Sequence, residues 1–66
     1  MDIEKAFTYH EPKQGQPERY KKIRAKAKEL AIMIATECPE CKEKDMAWTK
    51  LDESVMWANA AIARNE

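Results

Sequence analysis

Glycine is almost absent from this 66-residue chain, Gly15 being the only one, and proline occurs only at positions 12, 17 and 39. A fold of many short strands needs a turn residue at every reversal. This chain has such residues in two places only, so it is built from a few long elements. Two cysteines, Cys38 and Cys41, make too thin a framework for a disulfide-stapled scaffold. No basic start followed by an apolar stretch marks a signal peptide, and no apolar run approaches the ~20 residues of a membrane span. The expectation is a cytosolic protein with reduced thiols, away from membranes. Histidine and serine each occur once, as His10 and Ser54. No nucleophile, base and orienting acid can be assembled from them, so an enzyme is not expected. Net charge is also absent: 12 basic side chains balance 12 acidic ones. A sequence-nonspecific duplex binder usually carries a net positive charge, so neither DNA nor RNA is the expected partner.

The balance hides a strong local field. Arg19, Lys21, Lys22, Arg24, Lys26 and Lys28 fall within ten residues that contain no acid, while half of the acids lie between Glu37 and Glu53. An aromatic arm, Phe7-Thr8-Tyr9-His10, precedes the basic run. Aromatic faces beside fixed cations suit nucleobases joined to phosphates. Lys21, Arg24 and Lys28 recur at three and four and outline a phosphate clamp. The other reading is a solvated helix face, but the acids that normally intersperse for i to i+4 pairing are missing.

Periodicity gives the fold. Asp2 is placed to cap a short turn from Ile3 to Phe7, and Glu11 to Gln16 reads as a connector. Pro17 suits a first helical position, followed by Glu18 at the positive end of the helix dipole. Tyr20, Ile23, Ala27, Leu30 and Ile34 then alternate by three and four, the seam of a helix over 17–37, widened near its end by Ala31, Ile32 and Met33. Pro39 breaks it and can open the next helix, with Cys38 near the cap and Glu40 in the first turn. Trp48, Leu51, Val55, Ala58 and Ile62 form a second seam, while Met56, Trp57, Ala60 and Ala63 face elsewhere. The expected class is all-α: a helical hairpin of two long antiparallel helices with a short N-terminal arm. The arm and connector cover 1–16 and the hairpin 17–66, in a single domain. A chain this short buries only about 60% of its unfolded surface, and two seams exceed one partner helix, so assembly into an oligomeric bundle is expected.

Cys38-Pro39-Glu40-Cys41 has the spacing of a metal or redox motif. No strand–helix–strand pattern supports a redox site, and a structural zinc site needs four ligands. Ordinary helix-turn cysteines are the simpler reading, and no metal or cofactor is expected. Trp48, Trp57 and the methionines read most simply as core or interface.

The motifs Phe7-x-Tyr9-His10-x-Pro12, Gln16-Pro17-x-x-Tyr20-x-x-Ile23-Arg24-x-x-Ala27-Lys28-x-Leu30-Ala31 and, after Cys38-Pro39, Leu51-x-Glu53-x-Val55-Met56-Trp57-Ala58-Asn59-Ala60-Ala61-Ile62-Ala63-Arg64-Asn65 carry a resemblance. Together they resemble short phage proteins with the helical-hairpin domain of the anti-CBASS cyclic-oligonucleotide sponges, which is related to the hairpin of one class of Thoeris inhibitors. Met56-Trp57-Ala58 with Ala61-Ile62 is the most specific part. The resemblance implies sequestration without cleavage, blocking CBASS-type signalling in the host cytoplasm. It implies a homohexamer that binds cyclic dinucleotides such as 3',3'-cGAMP and, in some members, cyclic trinucleotides at separate sites. By position it implies that Tyr9 stacks on a base and Arg24 holds a phosphate, with His10, Tyr20 and Lys28 as further contacts. Arg64 and Asn65 match a trinucleotide site formed across subunits. The alternative is a helical interaction module that docks its basic face on an acidic protein.

Overall fold

A computed structural model describes residues 3–7 and 11–66. Helix α1 covers Ile3–Phe7, α2 covers Gln16–Glu37 and α3 covers Lys42–Asn65; no strand occurs among the described residues. The two long helices run antiparallel as a hairpin, as the apolar periodicity predicts.

Each end of α2 has a local cause. Gly15 caps its start at φ 85°, in the left-handed region that glycine enters without strain. Pro17 follows within the first turn, where its missing N–H costs nothing. At the other end Pro39 drives Cys38 into an extended conformation (φ −99°, ψ 139°), and α2 stops there. The expectation that Pro39 opens the next helix is corrected by this geometry. Cys38 closes α2, with its N–H donating to Ile34 O at 3.1 Å, and Cys41 is the extended residue ahead of α3. The acids of the first α3 turn are therefore Glu43 and Asp45, not Glu40.

Polar side chains fasten the hairpin at both ends. At the tip, Lys44 is only 11% exposed, and its ammonium donates to Ala35 O (2.9 Å) and Glu40 Oε1 (2.6 Å). The last turn of α2 has no basic residue of its own, so Lys44 supplies from α3 the cation that its exposed carbonyls and dipole favour. At the open end Gln16, 3% exposed, is the one buried side chain among the described residues. Its Oε1 accepts from Lys13 N (2.9 Å), and its Nε2 donates to Ile62 O (3.5 Å) and Glu66 Oε1 (3.4 Å).

Between these ends the seam is thin. Tyr20, Ile23, Ala27 and Ile34 are half-buried against Leu51, Val55, Ala58 and Ile62, largely as the periodicity places them. Two positions differ. Ala31 takes the place of Leu30, which is exposed, because the helical drift of 3.6 residues per turn brings position 31 under the partner. Trp48, 54% exposed, crosses that alanine, and its indole N–H donates to Ala31 O at 3.3 Å. Ile32 and Met33, which the sequence places on a widened apolar surface, are likewise exposed in the single chain.

No hydrophobic side chain is fully buried among the described residues. The thinnest Cα dimension is 12 Å, whereas two stacked helical layers need at least about 13 Å. The chain exposes 5709 Å², against roughly 4,300 Å² for a compact folded monomer of its mass. A structure this open would gain stability if further copies covered Met46, Met56 and Trp57, as the expected oligomeric bundle would. Thermal unfolding should therefore shift to higher temperature as protein concentration rises. A midpoint unchanged over a hundredfold concentration range would mean that the hairpin stands alone.

Candidate functional site

The side chains of α2 that face the tip half of α3 form one wall of an open groove of about 990 Å³. Arg24 and Lys28, one helical turn apart, lie on this wall with small alanines between and beyond them. Trp48, Leu51 and Asp52 line the α3 side. Alanine at 27 and 31 keeps the floor low, which leaves the long cationic side chains as the relief of that wall. The volume lies at the upper end of the range for small-molecule sites, about 300–1,000 Å³.

Charge is distributed across the groove in an unusual way. Arg24 and Lys28 on one side, and Asp45 and Asp52 on the other, take part in no ion pair among the described residues. Of the ion pairs that form, Lys26 with Glu29, Lys50 with Glu53 and Arg19 with Glu66 lie outside the groove, and Lys44 with Glu40 closes its tip end. Arg19 and Lys26 belong to the basic run but are thus engaged, and neither they nor Lys21 line the groove. The structure separates the run into Arg24 and Lys28 on one hand and solvated or paired cations on the other.

The remaining candidates are spread along the hairpin. Tyr20 is half-buried in the seam one turn before Arg24. Arg64 is exposed in the last turn of α3, and Asn65 beside it donates to Ala61 O at 3.0 Å. These two sit at the opposite end from the groove, by the Gln16 clamp. Tyr9 and His10 lie outside the described residues. Cys38 and Cys41 are exposed free thiols at the tip, and the Cys41 thiol donates to Pro39 O at 3.3 Å. No group of three or more metal-binding side chains occurs among the described residues. Sequence reasoning read Trp48 only as core or interface and gave Lys44, Asp52 and Gln16 no role. The i to i+4 spacing of Trp48 and Asp52 was the available signal for the groove face of α3.

Comparison with protein families supplies the decisive observation: the family described as Acb2/Tad1, hairpin domain, matches residues 1–63. The chain belongs to this family. The match spans both long helices, the connector and the arm, and agrees with the resemblance carried by the sequence motifs. Searches of curated proteins and of solved structures find no match. Membership implies an anti-defence phage protein that sequesters cyclic nucleotides in general. No helix among the described residues is long and apolar enough to cross a membrane.

One titration follows from the clamp at the open end. The Arg19 guanidinium, then the Gln16 amide, hydrogen-bond to the Glu66 carboxylate and hold its pKa below the ordinary value of 4.5. Arg19 is raised in return by the same bond. A depressed carboxylate contributes its stability above the unfolded-state value and loses it as pH falls through the folded-state value. Acid unfolding of Glu66→Gln should therefore show a shallower loss of stability below about pH 4.5 than the parent chain, read from urea midpoints at a series of pH values. Parallel profiles for the two proteins would dismiss this contribution.

Proposed function

We propose that this protein is an oligomeric sponge for cyclic di- and oligonucleotide second messengers, acting in the host cytoplasm against CBASS-type signalling. It captures the messenger intact, and the captured molecule no longer reaches the defence effector. The observation that carries this reading is the pair Arg24 and Lys28, on one groove wall and in no ion pair among the described residues, in a chain of the Acb2/Tad1 hairpin family.

The physical division of labour is simple. Arg24 presents a planar fork of N–H donors that matches phosphate oxygens in two places at once, and Lys28 adds a mobile point charge one turn away. Tyr9 on the arm stacks on a base, with His10 and Tyr20 as further contacts. A cyclic dinucleotide such as 3',3'-cGAMP is already closed into a ring, so little conformational freedom is lost on capture. In the oligomer, a hexamer in this reading, Arg64 and Asn65 of several copies meet to form a second site for cyclic trinucleotides. Arm and connector (1–16) and hairpin (17–66) act as one unit.

Cyclic dinucleotides should raise the melting temperature, as any ligand that prefers the folded state must, and should be recovered chemically intact after denaturation. Tyr9→Ala and Arg24→Ala should each remove the shift while leaving the oligomer size unchanged. No shift across a panel of cyclic di- and trinucleotides would refute the proposal. Capture of an acidic host protein by the same basic face would favour an interaction module instead.

A further inference from the structure

Lys44 and Glu40 neutralise each other at the tip end of the groove. The groove charges left without an ion pair among the described residues are Arg24 and Lys28 on one wall and Asp45 and Asp52 on the other, and they call for a ligand with two chemically different ends. Trp48 fixes the alignment of the walls through its bond to Ala31 O. One turn further from the tip, antiparallel helices bring Asp52 on α3 level with Ala27 and Lys28 on α2. Both residues line the same groove, yet Asp52 has no ion-pair or hydrogen-bond partner among the described residues. A carboxylate so placed repels a phosphate, which makes it a poor feature for a wall that merely collects polyanions. It is well suited to a group that offers two parallel N–H donors, because an ionised carboxylate is an acceptor with two oxygens.

We propose that Asp52 reads guanine, so that the groove selects guanine-bearing cyclic nucleotides over those carrying only adenine. This rests on the reading that the groove holds a cyclic nucleotide by Arg24 and Lys28. Guanine presents N1–H and its 2-amino group side by side, and the Asp52 carboxylate accepts from both. Adenine presents an acceptor, N1, beside its 6-amino donor, so one carboxylate oxygen faces a lone pair. The half-exposed indole of Trp48, one turn from Asp52, offers the purine an apolar wall. Lys28 and Arg24 across the groove take the phosphate joined to that base, and the opposed charges set the direction in which the nucleotide lies.

The test is isothermal titration of the full chain with cyclic di-GMP and cyclic di-AMP, for the parent protein, Asp52→Asn and Arg24→Ala. Asp52 is exposed, so the substitution leaves the fold intact, which circular dichroism and the oligomer size verify. The parent should bind cyclic di-GMP at least about tenfold more tightly, the scale of one good bidentate base contact. Asp52→Asn should shrink or reverse that preference, because an amide offers one acceptor and one donor and so matches adenine. Equal affinities in the parent, or an Asp52→Asn loss identical for both ligands, would overturn guanine reading. If Arg24→Ala still abolishes binding in that case, the nucleotide site itself stands. Failure of both ligands to bind the parent would remove the site and the guanine reading together.

Discussion

The hairpin holds together at its two ends more than along its length. Lys44 ties the tip by bonding to Ala35 and Glu40, and Gln16 ties the open end by joining Lys13, Ile62 and Glu66. Between them the contact surface is narrow and rich in alanine, and no described apolar side chain is fully enclosed. Hydrogen bonds of this kind fix register and direction but contribute only about 1 kcal/mol each once water is accounted for. Register is what they supply here: they align the helices so that Arg24 and Lys28 face Trp48 and Asp52 across one groove. In the proposed oligomer, further apolar stabilisation comes from neighbouring copies.

That constraint links stability to function. A thin hairpin with alanines on its inner face leaves an open groove where a bulkier seam would fill the space. The exposed Met46, Met56 and Trp57 then give further copies something to cover. Within the proposed sponge, the exposed Met46, Met56 and Trp57 serve assembly, while the groove with Arg24 and Lys28 serves dinucleotide capture. On that proposal, the same openness that limits burial in the single chain shapes it as one part of a larger binder.

Most of the fold was legible in the sequence because it depends on spacing. The steps of three and four through Tyr20, Ile23 and Ala27, and again through Leu51, Val55 and Ala58, set two helices with one shared seam. The errors lie where tertiary contact or proline geometry decides. Helical drift set Ala31, not Leu30, beneath Trp48, and Pro39 forced Cys38 out of the helix so that α3 begins at Lys42. The site was less legible. Spacing could place Arg24 and Lys28 on one face, but only the register of the hairpin brings Asp52 opposite them. Gln16 gave no signal, since its role comes from partners 46 and 50 residues away. The family was legible from motifs along nearly the whole chain, of which Met56-Trp57-Ala58 with Ala61-Ile62 is the most specific.

The central claim is that several copies of this hairpin hold cyclic nucleotides without altering them. Native mass spectrometry of the protein mixed with a panel of cyclic di- and trinucleotides tests it most directly, reading subunit number, ligand mass and stoichiometry together. The account predicts a multimer carrying cyclic nucleotide of unchanged mass. Monomers alone, a multimer that takes up no cyclic nucleotide, or a bound species with the mass of a linear product would contradict it.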